Sequence, residues 1–101
     1  MGALSEQQIH DEILAYIQKE GSSYSSWYVG IASNPRERLF SNHQVQEENS
    51  WWIFREAFSS QSARKVEKYI IENYGTDGGS GGGAENTKYV YAYKKTNTTN
   101  P

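Results

Sequence analysis

Hydrophobic residues recur at helical spacing in two long segments of the chain. From Ser5 to Glu20 the apolar positions follow a helical period, charged residues occupy the opposite side, and Gly21 marks the end. From Ala63 to Tyr74 a similar pattern runs after a group of serines that can cap a helix, and Gly75 closes it. We therefore expect two amphipathic helices, each packing one face against the core.

Shorter aromatic and β-branched segments alternate with these helices and predict strands. After the first strand, Asn34, Pro35 and Glu37 form a helix-start signal, and this helix should run to about His43 before a polar loop. The order helix, strand, helix, strand, helix, strand predicts an α+β fold with a small three-stranded sheet flanked by helices. The predicted strands are Trp27–Ala32, Trp51–Phe58 and Lys88–Lys95.

The length of 101 residues predicts a single domain, which we place at residues 4–95. Residues 75–84 are rich in glycine and predict a flexible loop, while the polar residues 96–101 predict a disordered tail. The glycine-rich loop lacks the Gly-Lys-Ser/Thr ending of a P-loop and follows a helix rather than a strand. These two departures argue against a nucleotide-triphosphate site of that type.

Composition changes this picture mainly through charge. The formal net charge is −2, which counts against a strong sequence-independent grip on nucleic acid, because such a grip needs several lysines or arginines on phosphates. The sequence has no cysteine, no apolar run long enough for a membrane span and no signal-peptide pattern in its first residues. We therefore expect a cytoplasmic protein that does not enter a membrane.

Glu67 stands out by position alone. It falls in the middle of the apolar face of the last helix, where a carboxylate is rare unless it is paired or binds a metal. Two interpretations remain open. Glu67 is either a functional carboxylate or a structural one, held in an ion pair with Arg38, Arg55 or Arg64 or reaching past the edge of the core.

Arg36 and Arg38 lie on the helix that follows the first strand. Phosphoryl transfer needs cations beside the charged phosphate, and arginine can offer two parallel donors, although spacing alone favours a solvated basic turn. His43 can act as a base or a phosphate donor, and the Tyr28 hydroxyl can activate a water or orient a phosphate. The ordinary alternatives are a histidine that meets helix carbonyls and a tyrosine packed in the core.

Together these residues resemble the GIY-YIG nuclease family. The segment Tyr28-Val29-Gly30 is similar to the second half-motif of the family, and Arg38, ten residues later and on a helix, is similar to the family's arginine. Glu67, on the helix after the next strand, is similar to the metal-binding glutamate. The resemblance covers roughly Trp27 to Gly75, about half of the chain, and implies a GIY-YIG-like fold.

Two parts of the family pattern have no direct counterpart. The first half-motif, Gly-Ile-Tyr, is not present as such. Tyr16 stands near the expected distance but inside the first amphipathic helix, so we favour an arrangement in which the tyrosine-rich C-terminal strand takes the place of the family's first strand. The family's closing asparagine corresponds to Asn86 or Asn73, and we take Asn86 as the candidate site residue.

The resemblance implies a metal-dependent endonuclease that hydrolyses phosphodiester bonds in DNA. A divalent ion, Mg²⁺ or Mn²⁺, would be held by Glu67, while Tyr28 would assist the attacking water and Arg38 would meet the phosphate. His43 and Asn86 complete the implied catalytic set. The alternative is a catalytically inactive module on the same scaffold that binds nucleic acid or a protein partner, which the acidic balance and the missing half-motif favour.

Overall fold

The first helix begins and ends where its capping residues require. In the computed structural model, which describes residues 2–78 and 87–101, helix α1 spans Glu6–Glu20. The Ser5 hydroxyl accepts a hydrogen bond from the Gln8 N–H at 3.1 Å, and the Ser5 N–H donates to the Gln8 side chain at 3.2 Å. Gly21 then ends the helix in the left-handed conformation, at φ 94°.

Two of the three predicted strands are shorter than expected, and the remaining elements follow the predicted order. They are β1 (Trp27–Ala32), α2 (Pro35–Glu37), which continues as a π-helical segment (Arg38–Asn42), β2 (Trp52–Glu56), α3 (Ser60–Tyr74), β3 (Asp77–Gly78) and β4 (Tyr89–Lys94). Helix α3 starts after Ser59, whose hydroxyl accepts from the Ser62 N–H at 3.1 Å. None of the helices in the described part of the chain is long and apolar enough to cross a membrane.

The four described strands form one mixed sheet in the order β2-β4-β1-β3, flanked by the three helices. Strand β4 is antiparallel to both β1 and β2, and β3 pairs in parallel with β1 through Tyr28 and Asp77. The α+β class is therefore confirmed, but β3 adds a strand to the expected three. This strand lies inside the segment predicted as a glycine-rich loop, and residues 79–84 of that segment lie outside the described residues.

The two faces of the sheet pack against different clusters. The larger cluster lies between the sheet and helices α1 and α3, and it takes Trp27, Val29 and Ile31 from β1. The smaller cluster covers the opposite face and takes Ala32 from β1, with Tyr28 packed against it. Because successive residues of a strand point to opposite faces, the two sets alternate along β1. The other buried members of the smaller cluster are Leu39, Val45, Tyr91 and Tyr93.

The helix after β1 changes its hydrogen-bond pattern midway. The Asn34 side chain accepts from the Glu37 N–H at 3.2 Å, and Pro35 occupies the first turn, as predicted. From Arg38 onward the turn widens, because the His43 N–H donates to the Arg38 carbonyl, five residues back, at 2.9 Å. This π-helical turn directs the His43 ring toward the smaller cluster on the sheet.

Residues 96–101, here called the C-terminal strap, lie against the end of this π-helical segment. The Thr99 N–H donates to the Thr96 carbonyl at 3.3 Å, and the Asn100 N–H donates to the His43 carbonyl at 2.6 Å. Both contacts join main-chain groups, which composition does not describe.

Candidate functional site

Three tyrosines surround His43 on the face of the sheet covered by the smaller cluster. The ring centroids of Tyr28 and His43 are 4.6 Å apart. The Tyr91 hydroxyl lies 2.7 Å from His43 Nε2, and the Tyr93 hydroxyl lies 3.1 Å from Nδ1. His43 is only 6% exposed. These four residues, here called the Tyr–His cluster, therefore place a buried imidazole between phenols.

Gly30 makes the contact between Tyr91 and His43 possible. It lies directly opposite Tyr91 in the pairing of β1 with β4. A Cβ atom at residue 30 would lie 2.5 Å from the Tyr91 hydroxyl, far inside van der Waals contact. A glycine within a strand often marks such a close approach. The glycine of the Tyr-Val-Gly segment is thus explained by the space that the Tyr91 side chain occupies.

His43 is held in its neutral form by its surroundings. Burial lowers the pKa of His43 from its ordinary value of 6.5, and the positive charge of Arg38 lowers it further. The hydrogen bond to the backbone of Asn100 acts in the opposite direction but does not reverse the shift. A neutral imidazole has one nitrogen that donates and one that accepts, so His43 can accept a proton near neutral pH.

Arg38 and Glu67 act on the same tyrosines from outside the cluster. Burial raises the pKa of Tyr91 and of Tyr28. The negative charge of Glu67 raises both pKa values further, and the positive charge of Arg38 lowers both. Charges in solvent are largely screened beyond about 10 Å. The effects of Arg38 and Glu67 on the two pKa values therefore indicate that both residues lie near the Tyr–His cluster.

Glu67 is half-buried on α3, on the side that faces the edge of the sheet. A Cβ atom at Gly78 on β3 would lie 2.3 Å from Cδ1 of Ile71, one helical turn after Glu67, so this side of α3 lies over the β1–β3 edge. Burial raises the pKa of Glu67 to about 7, and the charge of Arg64 opposes that shift. Within residues 2–78 and 87–101, Glu67 has no hydrogen-bond or ion-pair partner within 4 Å.

The three arginines considered as ion-pair partners of Glu67 do not hold its pKa at the ordinary value. Arg55 bonds to Glu12 on α1 at 2.6 Å. Arg38 is exposed, and Arg64 lowers the pKa of Glu67 without cancelling the effect of burial. Burial therefore makes the Glu67 carboxylate bind a proton more readily than an exposed glutamate does.

The donor set at Glu67 is compatible with a magnesium ion. The described part of the chain contains no group of three or more His, Cys, Asp or Glu residues that could hold a metal. Mg²⁺ prefers oxygen ligands and keeps several of its waters, so one carboxylate is a sufficient protein contribution. Glu67, half-buried and without an ion-pair partner within 4 Å among these residues, meets that requirement.

The remaining predicted residues do not join the cluster in the described structure. Asn86 lies outside the described residues. The alternative, Asn73, is exposed, and its side chain donates to the Tyr69 carbonyl of its own helix at 2.9 Å. Arg36 pairs with Glu47 on the surface, and its guanidinium also lies over the rings of Phe40 and Trp52, 5.4 and 5.7 Å from their centroids.

Two residues near the site were not singled out from the sequence. Tyr91 is the direct partner of His43, and its signal was the alternation of tyrosines along the last strand, which places Tyr89, Tyr91 and Tyr93 on one face. Asp77 pairs with Tyr28 across the sheet, and its charge raises the pKa of Tyr28. No local signal could have found Asp77, because β3 is only two residues long.

Comparisons of this chain with protein-family models, with curated proteins and with solved structures find no significant match.

Proposed function

We propose that this protein is a metal-dependent endonuclease of the GIY-YIG type that hydrolyses phosphodiester bonds in DNA. The observation that carries the proposal is the convergence of Tyr28, Tyr91, His43 and Arg38 on one face of the sheet, with the Glu67 charge acting on both tyrosines. In this proposal β4, which lies beside β1 in the middle of the sheet, replaces the first strand of the family, and Tyr91 replaces its tyrosine.

The chemistry of the cluster suits attack on a phosphate. Neutral His43 can accept the proton of the Tyr91 hydroxyl, and the Tyr91 oxygen can in turn take a proton from an attacking water. Tyr28 is partly exposed beside them and can orient that water or a phosphate oxygen. The transfer from Tyr91 to His43 runs between groups already within hydrogen-bond distance, at 2.7 Å.

Charge stabilisation would come from Arg38 and from the ion at Glu67. The exposed Arg38 guanidinium can meet the phosphate with two parallel donors. Glu67 would hold Mg²⁺ or Mn²⁺, and a bound divalent ion supplies positive charge to the phosphate and leaving-group oxygens. Preorganised charge of this kind is usually the largest contribution to such catalysis.

The decisive experiment is a nicking assay on supercoiled plasmid DNA with Mg²⁺ or Mn²⁺. We expect the wild-type protein to nick, Glu67→Ala to lose activity by roughly 100-fold or more, and Arg38→Ala to lose a similar factor. Glu72→Ala is the matched control, because Glu72 lies exposed on the same helix. Circular dichroism and thermal unfolding verify that each variant is folded.

If the folded wild-type protein nicks DNA with neither Mg²⁺ nor Mn²⁺, the endonuclease proposal is rejected and a second candidate function is left. That candidate is a catalytically inactive module that binds nucleic acid or a protein, and the net charge of −2 and the pairing of Arg36 with Glu47 favour it. Salt-dependent binding to DNA without cleavage would support it. Cleavage that disappears in Glu67→Ala would exclude it.

A further inference from the structure

The main chain of Asn100, in the C-terminal strap, holds His43 at two points. The Asn100 N–H donates to the His43 carbonyl at 2.6 Å, and the Asn100 carbonyl oxygen lies 2.8 Å from His43 Nδ1. A carbonyl oxygen can only accept a hydrogen bond. The second contact is therefore favourable only when Nδ1 carries the proton of the imidazole.

Without the strap, the tyrosines would leave the choice between the two neutral forms of His43 nearly balanced. Tyr91 presents its hydroxyl to Nε2 at 2.7 Å, and Tyr93 presents its hydroxyl to Nδ1 at 3.1 Å. Each phenol can donate a hydrogen bond to the nitrogen it faces. A neutral imidazole has only one accepting nitrogen, so only one of the two tyrosines can be the donor.

We propose that the Asn100 carbonyl fixes His43 in the Nδ1–H form and thereby makes Tyr91, rather than Tyr93, the tyrosine that donates to His43. In the other form, two lone pairs would face each other across the 2.8 Å between Nδ1 and the carbonyl oxygen. Tyr93 then shares the Nδ1 proton as an acceptor. Asn100 is thus a positioning residue, because it acts on Tyr91 only through His43.

The consequence for catalysis rests on the proposed function, whereas the tautomer does not. If the protein is a nuclease, the strap decides which phenol can pass a proton to His43. If the protein only binds a partner, the same tautomer is still expected, because it follows from the hydrogen bonds alone.

The tautomer can be measured by two-bond ¹H–¹⁵N correlation spectra of protein labelled with ¹⁵N-histidine. The chain has two histidines, so a His10→Gln variant assigns the signals. We expect the Nδ1–H form of His43 in the full chain. Removal of residues 97–101 should shift the ratio toward Nε2–H by about fivefold or more, since a net hydrogen bond of about 1 kcal/mol is lost. Asn100→Ala is the control, because it keeps both main-chain groups.

A Tyr91→Phe variant of the full chain gives an independent test if the shortened chain fails to fold. If Asn100 fixes the tautomer, this variant keeps the Nδ1–H form. A change to Nε2–H on losing the Tyr91 hydroxyl, or an unchanged ratio in a folded chain without the strap, would overturn the proposal. Nicking assays on the same samples separate the tautomer proposal from the nuclease proposal. If His43 has the expected tautomer but the protein never cleaves DNA, only the nuclease function is contradicted.

Discussion

At the scale of single residues, the missing side chain at Gly30 determines where the Tyr91 hydroxyl lies. Tyr91 crosses from β4 over Gly30 of β1 and bonds to His43, which comes from the end of the π-helical segment. Three elements thus meet at one hydroxyl group. A position that carries no side-chain chemistry of its own is therefore as important to the site as the groups that would react.

Gly30→Ala should disturb both stability and the site. The added Cβ would lie 2.5 Å from the Tyr91 hydroxyl, so that ring must move away from His43. We expect the free energy of unfolding in urea to fall by about 1–3 kcal/mol, typical of an overpacked core, and nicking activity to be lost. Gly2→Ala is the control, because no atom lies within 4 Å of its added Cβ. Unchanged stability and activity in Gly30→Ala would show that the Tyr91–His43 contact is not maintained in solution.

Glu67 should make the folded state less stable as the pH rises. Burial raises the pKa of Glu67 from 4.5 to about 7, so the folded protein binds this proton more tightly than the unfolded chain does. The free energy of unfolding therefore decreases between about pH 4.5 and pH 7. We expect Glu67→Gln to be more stable than wild type by about 1–2 kcal/mol at pH 8, after allowance for partial exposure, and equally stable at pH 4.

Urea unfolding of wild type and Glu67→Gln at both pH values measures this difference. Glu72→Gln, on the exposed side of the same helix, should show no such pH dependence. If Glu67→Gln changed the free energy of unfolding equally at pH 4 and pH 8, the charge of Glu67 would not be destabilising. A stabilised variant without activity would be the usual exchange of stability for function at an active site.

At the scale of elements, Glu20 joins the end of α1 to two strands. Its carboxylate accepts from Lys94 of β4 at 2.7 Å, from the Trp27 indole of β1 at 3.3 Å and from the Ser22 N–H at 3.0 Å. The hydrogen bond from Lys94, followed by that from Ser22, lowers the pKa of Glu20 to about 2. One carboxylate therefore fixes how α1 approaches the sheet.

Glu20→Gln should weaken this junction, because the amide cannot accept as many hydrogen bonds and carries no charge. We expect a loss of about 1–2 kcal/mol in the free energy of unfolding at pH 7. The contribution of the Glu20 carboxylate is fully present above about pH 4.5 and is lost as the pH falls toward about 2, so the two proteins should become equally stable there. Glu12→Gln, which affects only an exposed pair with Arg55, should cost less than about 1 kcal/mol.

The helix ends could be predicted because their signals act within a single turn. Ser5, Asn34 and Gly21 each satisfy main-chain groups three or four residues away, so sequence alone locates them. Strand pairing is different. Tyr91 lies 48 residues from its partner His43, and nothing local indicates that β4 occupies the centre of the sheet.

The candidate site could be predicted only in part for the same reason. Tyr28, Arg38, His43 and Glu67 were proposed by residue type, helical face and family resemblance. In the structure Tyr28 packs against His43, and the charges of Glu67 and Arg38 act on Tyr28. The hydrogen bond from Tyr91 and the contact of the strap with His43 depend on tertiary pairing, which no periodicity encodes. Their roles in catalysis remain predictions for the assays above.

At the scale of the whole molecule, the balance of charge bears on any contact with nucleic acid. The net charge is −2, Arg36 pairs with Glu47, and Lys95, which precedes the strap, has its ammonium 3.3 Å from the Asp77 carboxylate. Arg38 is the exposed cation that acts on the Tyr–His cluster. In the proposed nuclease, recognition of DNA would therefore depend on local contacts more than on a broad basic surface.

Binding to a labelled DNA duplex should accordingly show a shallow dependence on salt. With about two phosphate contacts, the slope of log K against log salt is expected to be about −2. Arg38→Gln should reduce the magnitude of the slope by about 1, whereas Lys68→Gln should not change it, because Lys68 lines a groove between α1 and α3 instead. Fluorescence anisotropy in EDTA measures these slopes, and a wild-type slope steeper than about −5 would contradict this prediction by revealing a broad basic surface.

The central position of β4 also has a consequence for synthesis of the protein on the ribosome. Strands β1 and β2 do not touch each other in the sheet, since each pairs with β4, the last of the four strands to be translated. The sheet cannot close until β4 has left the exit tunnel, and such distant pairing slows folding. Because Tyr91 arrives on that same strand, a nascent chain without β4 would lack part of the candidate site. In the proposed nuclease, activity would then appear only after β4 has emerged and the sheet has closed.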